Sequence, residues 1–97
     1  MFVVAKHNSD GKLILAVCDS SLRGKKFEDA NAILDLGSKF YQGEEKDAEQ
    51  TAELMMKAYI INAAGKEAVT LIIKLGFASN ENIKTVSGVQ HVQVLMA

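Results

Sequence analysis

The sequence predicts an α+β fold, and three observations carry that expectation. Two β-rich runs meet at Asp10-Gly11 near the N-terminus, a helical stripe opens at a capping sequence on Asp47, and the C-terminal segment alternates apolar with polar side chains. A chain of 97 residues has room for one hydrophobic core, so residues 1–97 are read as a single domain. With 48% hydrophobic and 24% charged residues, the composition excludes the regime of intrinsic disorder. There is no Trp and there are six aromatic residues, so Val, Ile, Leu, Ala and Met must fill most of the interior.

The N-terminal hairpin is expected from Met1 to His7 and Lys12 to Val17, because Asp-Gly tolerates the positive φ of a tight turn. Asp19 or Ser20 suits the cap of one helical turn through Leu22, with Gly24 as its left-handed stop. Phe27 anchors an extended stretch, and Ile33 to Leu36 and Lys39 to Tyr41 are short strand candidates bounded by Gly37 and Gly43.

Asp47-Ala48-Glu49-Gln50 has the order of a capping box, an acceptor followed three residues later by Gln. Thr51, Leu54, Met55, Ala58 and Ile61 follow at helical spacing, which predicts a helical segment from Asp47 to Leu75 packed on one face of the sheet. Gly65 weakens a helix, so a break is expected between Asn62 and Gly65. Ala68, Leu71, Ile72 and Leu75 then face inward up to a stop at Gly76. Beyond the polar loop Ser79 to Asn82, Ile83 to Val86 and Val89 to Met96 read as strands around Ser87-Gly88. The expected core comprises Val3, Leu13, Leu15, Leu54, Ala58, Ile61, Ala68, Ile72, Leu75, Val92 and Val94.

Charge and cysteine usage narrow the function classes. The net charge of −1 excludes a bulk electrostatic pull onto nucleic acid, although the charge is unevenly spread. Residues 1–26 carry five Lys/Arg against two Asp, whereas residues 27–53 carry two Lys against eight acids, of which Glu44, Glu45, Asp47 and Glu49 sit where a helix start favours negative charge. A single cysteine, Cys18, excludes an internal disulfide and a multi-cysteine metal site. No basic segment precedes the apolar run at the N-terminus, and the stretch 58–64 is too short for a bilayer, so no membrane association and a cytoplasmic location are expected.

Several residues have the chemistry of a site. Cys18 with Asp19, His7 and His91 has the residue types of a thiol nucleophile with a base, although a lone cysteine ending an apolar strand is also an ordinary core residue. Two histidines 84 positions apart, without paired cysteines, predict no metal site, and no cofactor is expected. Arg23, Lys25 and Lys26 surround Gly24 in a loop suited to phosphate, without the flanking residues of a Walker A motif. His91 and Gln93 share one strand face and suit a base or another polar ligand, or form that strand's wet side. Asn62 and Gly65 at the expected break are either a hinge or a ligand-facing helix start.

Leu22-Arg23-Gly24-Lys25-Lys26-Phe27, Phe40-Tyr41-Gln42-Gly43, Asn62-Ala63-Ala64-Gly65-Lys66-Glu67-Ala68-Val69 and Gly88-Val89-Gln90-His91-Val92-Gln93 occur in this order. The set resembles the archaeal domain-of-unknown-function family 424 over nearly the whole chain. In the last motif Gln90 and Val92 stand where the family form has Pro and Ala. The resemblance implies an archaeal cytoplasmic protein without an established activity and a loose link to translation. The expected function is therefore a binding module for RNA or a ribonucleoprotein, with Arg23, Lys25, Lys26, His91 and Gln93 in one site. The alternatives are a small enzyme or ligand-binding protein using Cys18 or His91, and an assembly subunit using an apolar helix face. The enzyme has the least support, because no general base comes with a recognisable partner.

Overall fold

The computed structural model describes residues 1–96. Strands β1 (Phe2–Ser9) and β2 (Lys12–Asp19) form the N-terminal hairpin, with Phe2 opposite Asp19 and Ser9 opposite Lys12. Asp10 and Gly11 hold φ of 53° and 77°, the handedness that a two-residue turn between twisted strands requires. A 3₁₀ turn at Ser20–Leu22 leads to β3 (Lys26–Glu28) and β4 (Ile33–Asp35), which pair with each other as a separate small sheet. A second 3₁₀ turn at Lys39–Tyr41 precedes β5 (Glu44–Lys46) and helix α1 (Ala48–Lys57). Then come β6 (Ile60–Ala64), helix α2 (Lys66–Lys74), a third 3₁₀ turn at Asn80–Asn82, β7 (Lys84–Val86) and β8 (Val89–Leu95).

The fold is α+β, with a six-stranded sheet in the order β5-β1-β2-β6-β8-β7. Its β2–β6 pair is parallel and its other pairs are antiparallel. The capping box opens α1 as expected: the Gln50 amide N–H donates to Asp47 Oδ1 at 2.8 Å, and the Asp47 N–H donates to Gln50 Oε1 at 3.1 Å.

The expected helical segment from Asp47 to Leu75 with a break at Asn62 to Gly65 is corrected. The helix stops at Lys57, Ala58 is already extended, and Ile60–Ala64 forms a strand in the middle of the sheet. A short apolar run with a single polar residue, Asn62, has no period that separates strand from helix. Ile60 and Ile61 are β-branched, and β2 and β8 on either side supply the backbone partners that the run needs. Lys39–Tyr41 is a 3₁₀ turn and not a strand; Phe40 stacks on the His7 ring with centroids 4.9 Å apart, which holds the turn against β1. The acidic stretch before α1 hides a short edge strand, β5, whose exposed Glu44 and Glu45 make it a poor template for further pairing.

Strand register sorts the core into two layers. Val4, Val17, Ala63 and Val92 form one cross-sheet row, and Leu15, Ile61 and Val94 form the next. Both rows belong to the buried cluster that contains Met55 and Ala58 beside α1 and Ala68, Val69 and Ile72 of α2, so both helices cover the same face. Leu13, Leu54 and Leu75, expected in the core, are half-buried against its edge. On the opposite face Val3, Cys18 and Ala64 are buried with Leu34, Leu36 and Val86. The β3–β4 segment thus roofs one end of that face.

Asp19 ties α2 to the sheet. Asp19 or Ser20 is the expected cap of the short turn after β2; Asp19 holds the cap position, but its side chain makes no bond there. Its carboxylate instead accepts the backbone N–H of Glu67 at 3.0 Å and of Ala68 at 2.7 Å, two of the donors that a helix start leaves without partners. Gly65 precedes the helix at φ 104°, and a Cβ added there would run into the Asp19 carboxylate. Only glycine allows β6 to turn into α2 so close to this cap.

Candidate functional site

With the helices on one face and β3–β4 over one end of the other, part of the sheet stays uncovered. Register places Asn62 of β6 opposite Gln93 of β8, and Lys84 of β7 opposite His91 of β8. Asn62, Gln93, His91 and Lys84, joined by Glu81 and Asn82 from the third 3₁₀ turn, line a cleft of about 440 Å³. That size lies within the ~300–1,000 Å³ range of small-ligand sites.

The cleft is polar, and its groups are chemically distinct. His91 is half-buried; burial, reinforced by the neighbouring Lys84 cation, holds its pKa below the usual histidine value. At neutral pH the ring is therefore uncharged, with one nitrogen that donates and one that accepts. Asn62 and Gln93 each offer an acceptor and donors, Lys84 only donates and Glu81 only accepts. Asn82 is oriented by Ser79, whose backbone N–H at 2.9 Å and hydroxyl at 3.3 Å both reach its Oδ1. The amide nitrogen of Asn82 takes no part in these bonds.

Of the residues expected to form a site, Asn62, His91 and Gln93 meet here. Asn62 does so from mid-strand, and Gly65 lies buried beside Asp19, so neither marks a ligand-facing break in a helix. Arg23 lines a different cleft of about 310 Å³ with Gly24, Leu36, Gly37, Tyr41, Gln42 and Gly43. Lys25 and Lys26 are exposed where the loop enters β3, and no residue of the loop lines the Asn62–His91–Gln93 cleft. The two surfaces share a side of the sheet, since Leu22, Phe27 and Tyr41 pack on the Cys18 layer, but they are separate depressions.

Cys18 is fully buried, and burial pushes its thiol up to about 11, with Asp19 adding to the rise and Arg23 opposing it. The thiol stays protonated at neutral pH, the state of a core residue. Among the described residues no three His, Cys, Asp or Glu side chains are grouped to hold a metal ion. No helix among them is long and apolar enough to cross a membrane.

Glu81, Asn82 and Lys84 were not singled out in the sequence. Lys84 was within reach of such reasoning: the Ser87-Gly88 turn, with φ of 50° and 84°, fixes a register that sets it beside His91. Glu81 and Asn82 depend on where the turn folds back, which no local pattern announces.

These features define a class: a small α+β protein with both helices on one sheet face and a polar cleft open on the other. The chain belongs to the family described as protein of unknown function (DUF424), whose model matches residues 7–96. It is similar to the crystal structure of an uncharacterized conserved protein from Methanopyrus kandleri, at 26% identity and a TM-score of 0.81 over 97% of this chain and 91% of that one. No curated protein matches the sequence.

Proposed function

We propose that the protein is a binding module for single-stranded RNA, acting in the archaeal cytoplasm, and that the open sheet cleft receives one unpaired nucleotide. The observation that carries this reading is the convergence of Asn62, Gln93 and neutral His91 with Lys84 in one cleft on the uncovered face. Side-chain amides match the paired donors and acceptors of a base edge, an imidazole ring can stack on a base, and an ammonium group suits phosphate. Single-stranded RNA presents all three features together, whereas a duplex hides the Watson–Crick edges and the base faces. Arg23, Lys25 and Lys26 are then a second, backbone-directed contact on the same side.

Fluorescence anisotropy with labelled RNA pentanucleotides tests this. Single strands should bind more tightly than a duplex, and Gln93→Ala should weaken binding. Each phosphate contact contributes about 0.7 to the log-log salt slope for single strands. Lys84→Ala should therefore lower the slope by about 0.7, and the double Lys25→Ala/Lys26→Ala change by about 1.4. Absence of binding to any single strand at low salt would overturn the reading. A second reading, a small enzyme with His91 as general base, is favoured by the neutral imidazole. It requires that His91→Ala fail to restore a null strain, whereas Cys18→Ser restores it.

A further inference from the structure

We infer that the cleft selects guanine, with Glu81 as the residue that determines the choice; this rests on the RNA-binding reading above. Glu81 and Asn82 are consecutive in the turn that closes the cleft, and they are chemically opposed. Glu81 is a carboxylate, which accepts and does not donate. Asn82 lines the cleft with its oxygen engaged by two donors of Ser79, so the groups it has free for a ligand are its amide N–H groups. Along the turn that rims the cleft, a side chain with an acceptor pair is thus followed by one with a free donor.

The Watson–Crick edge of guanine is the complement of that rim. Its ring imino N–H and exocyclic amino group lie side by side and can meet both oxygens of one carboxylate, and its keto oxygen follows, where the Asn82 amide can donate. Each other base fails against the same rim. Uracil turns a keto oxygen toward the carboxylate on either side of its one imino donor, and adenine and cytosine each offer one amino group beside an unprotonated ring nitrogen. An unmatched acceptor facing a carboxylate is penalised as well as unrewarded, which is how a site discriminates between ligands of similar shape. The charges also orient the nucleotide: Glu81 repels phosphate and Lys84 attracts it, so the base lies toward the turn and the backbone toward β7.

The test uses anisotropy with five labelled pentanucleotides that carry G, A, C, U or inosine at the centre of an otherwise all-U strand. The G strand should bind on the order of tenfold more tightly than the A, C and U strands, the discrimination expected of a bidentate pair. Inosine lacks the amino group and should fall between. Glu81→Gln should bring G to within about twofold of the others, by weakening the G strand and by relieving the repulsion that the carboxylate imposes on the all-U strand; Glu81 is exposed and takes no part in the Ser79–Asn82 bonds, so the variant should fold as the wild type does. Equal binding of all five strands, or a G preference that survives Glu81→Gln, overturns the guanine inference and leaves the RNA-binding reading in place. Failure of every strand to bind overturns both.

Discussion

Replacing Asp19 by Asn probes how α2 is held on the sheet. The carboxylate is 5% exposed and takes two backbone N–H groups, at 2.7 and 3.0 Å. Asparagine can still accept from Ala68 through its one oxygen, but it then turns an NH2 group toward the Glu67 N–H. Leaving a buried donor without a partner costs about 1–3 kcal/mol, and losing a helix cap costs about 0.5–2. These are two descriptions of one loss and are not summed. Relief of the buried charge offsets part of it, so a net cost of about 1–2 kcal/mol is expected, or roughly 4–16 °C in Tm for a chain of this size. The pH dependence supplies an independent check. Burial raises the Asp19 pKa, against the two amide bonds that lower it. Between 3.8 and that raised value the folded state holds more protons than the unfolded state, so this group's contribution to stability declines as pH rises through the window and is constant above it. Urea unfolding followed by far-UV circular dichroism at a series of pH values from 3.5 to 7 should show the variant's deficit shrinking as pH rises through the window. A variant as stable as the wild type throughout would refute the claim that Asp19 anchors the helix.

Gly65→Ala should lower the denaturant midpoint at least as far as Asp19→Asn, because the new Cβ meets the Asp19 carboxylate at φ 104°, and the two changes combined should cost less than their sum. Ile72→Ala, at a fully buried site, should cost about 2–5 kcal/mol by urea titration; a midpoint within experimental error of the wild type would contradict its place in the core. The lowered His91 pKa means that the unfolded chain takes up this proton first on acidification, so stability should fall as pH drops from about 6.5 through the folded value, a limb that His91→Gln should flatten.

How much was legible follows from which residues carry local signals. The Asp10-Gly11 hairpin, the Asp47–Gln50 box and the alternation of Val92 and Val94 with Gln93 and Leu95 are written in neighbouring residues, and the structure has all three. Strand β6 was not legible, because Tyr59 to Ala64 carries no polar face to set a period; what makes it a strand is the pair of neighbours that the rest of the chain supplies. The role of Asp19 was equally hidden, since its partners lie 48 and 49 residues away. At the cleft, His91 and Gln93 could be paired by their period of two. Asn62 joins them because β6 is a strand, and the same residue in a helix would have pointed elsewhere.

The correction at β6 has a consequence for the site. A broken helix through Asn62 would have placed it and Gly65 together at a helix start, a setting for an anion. As a strand, β6 separates their roles: Asn62 turns to the open face beside Gln93, and Gly65 delivers the chain to α2, whose Glu67 and Ala68 amides are already taken by Asp19. An internal carboxylate thus occupies the place where phosphate would have sat, and its negative charge opposes an external anion at that helix start. On the uncovered face, Asn62, Lys84, His91 and Gln93 stand together in one cleft. Under the proposed function, recognition then falls to side chains oriented by strand register together with the turn at Asn80–Asn82, and not to the start of α2.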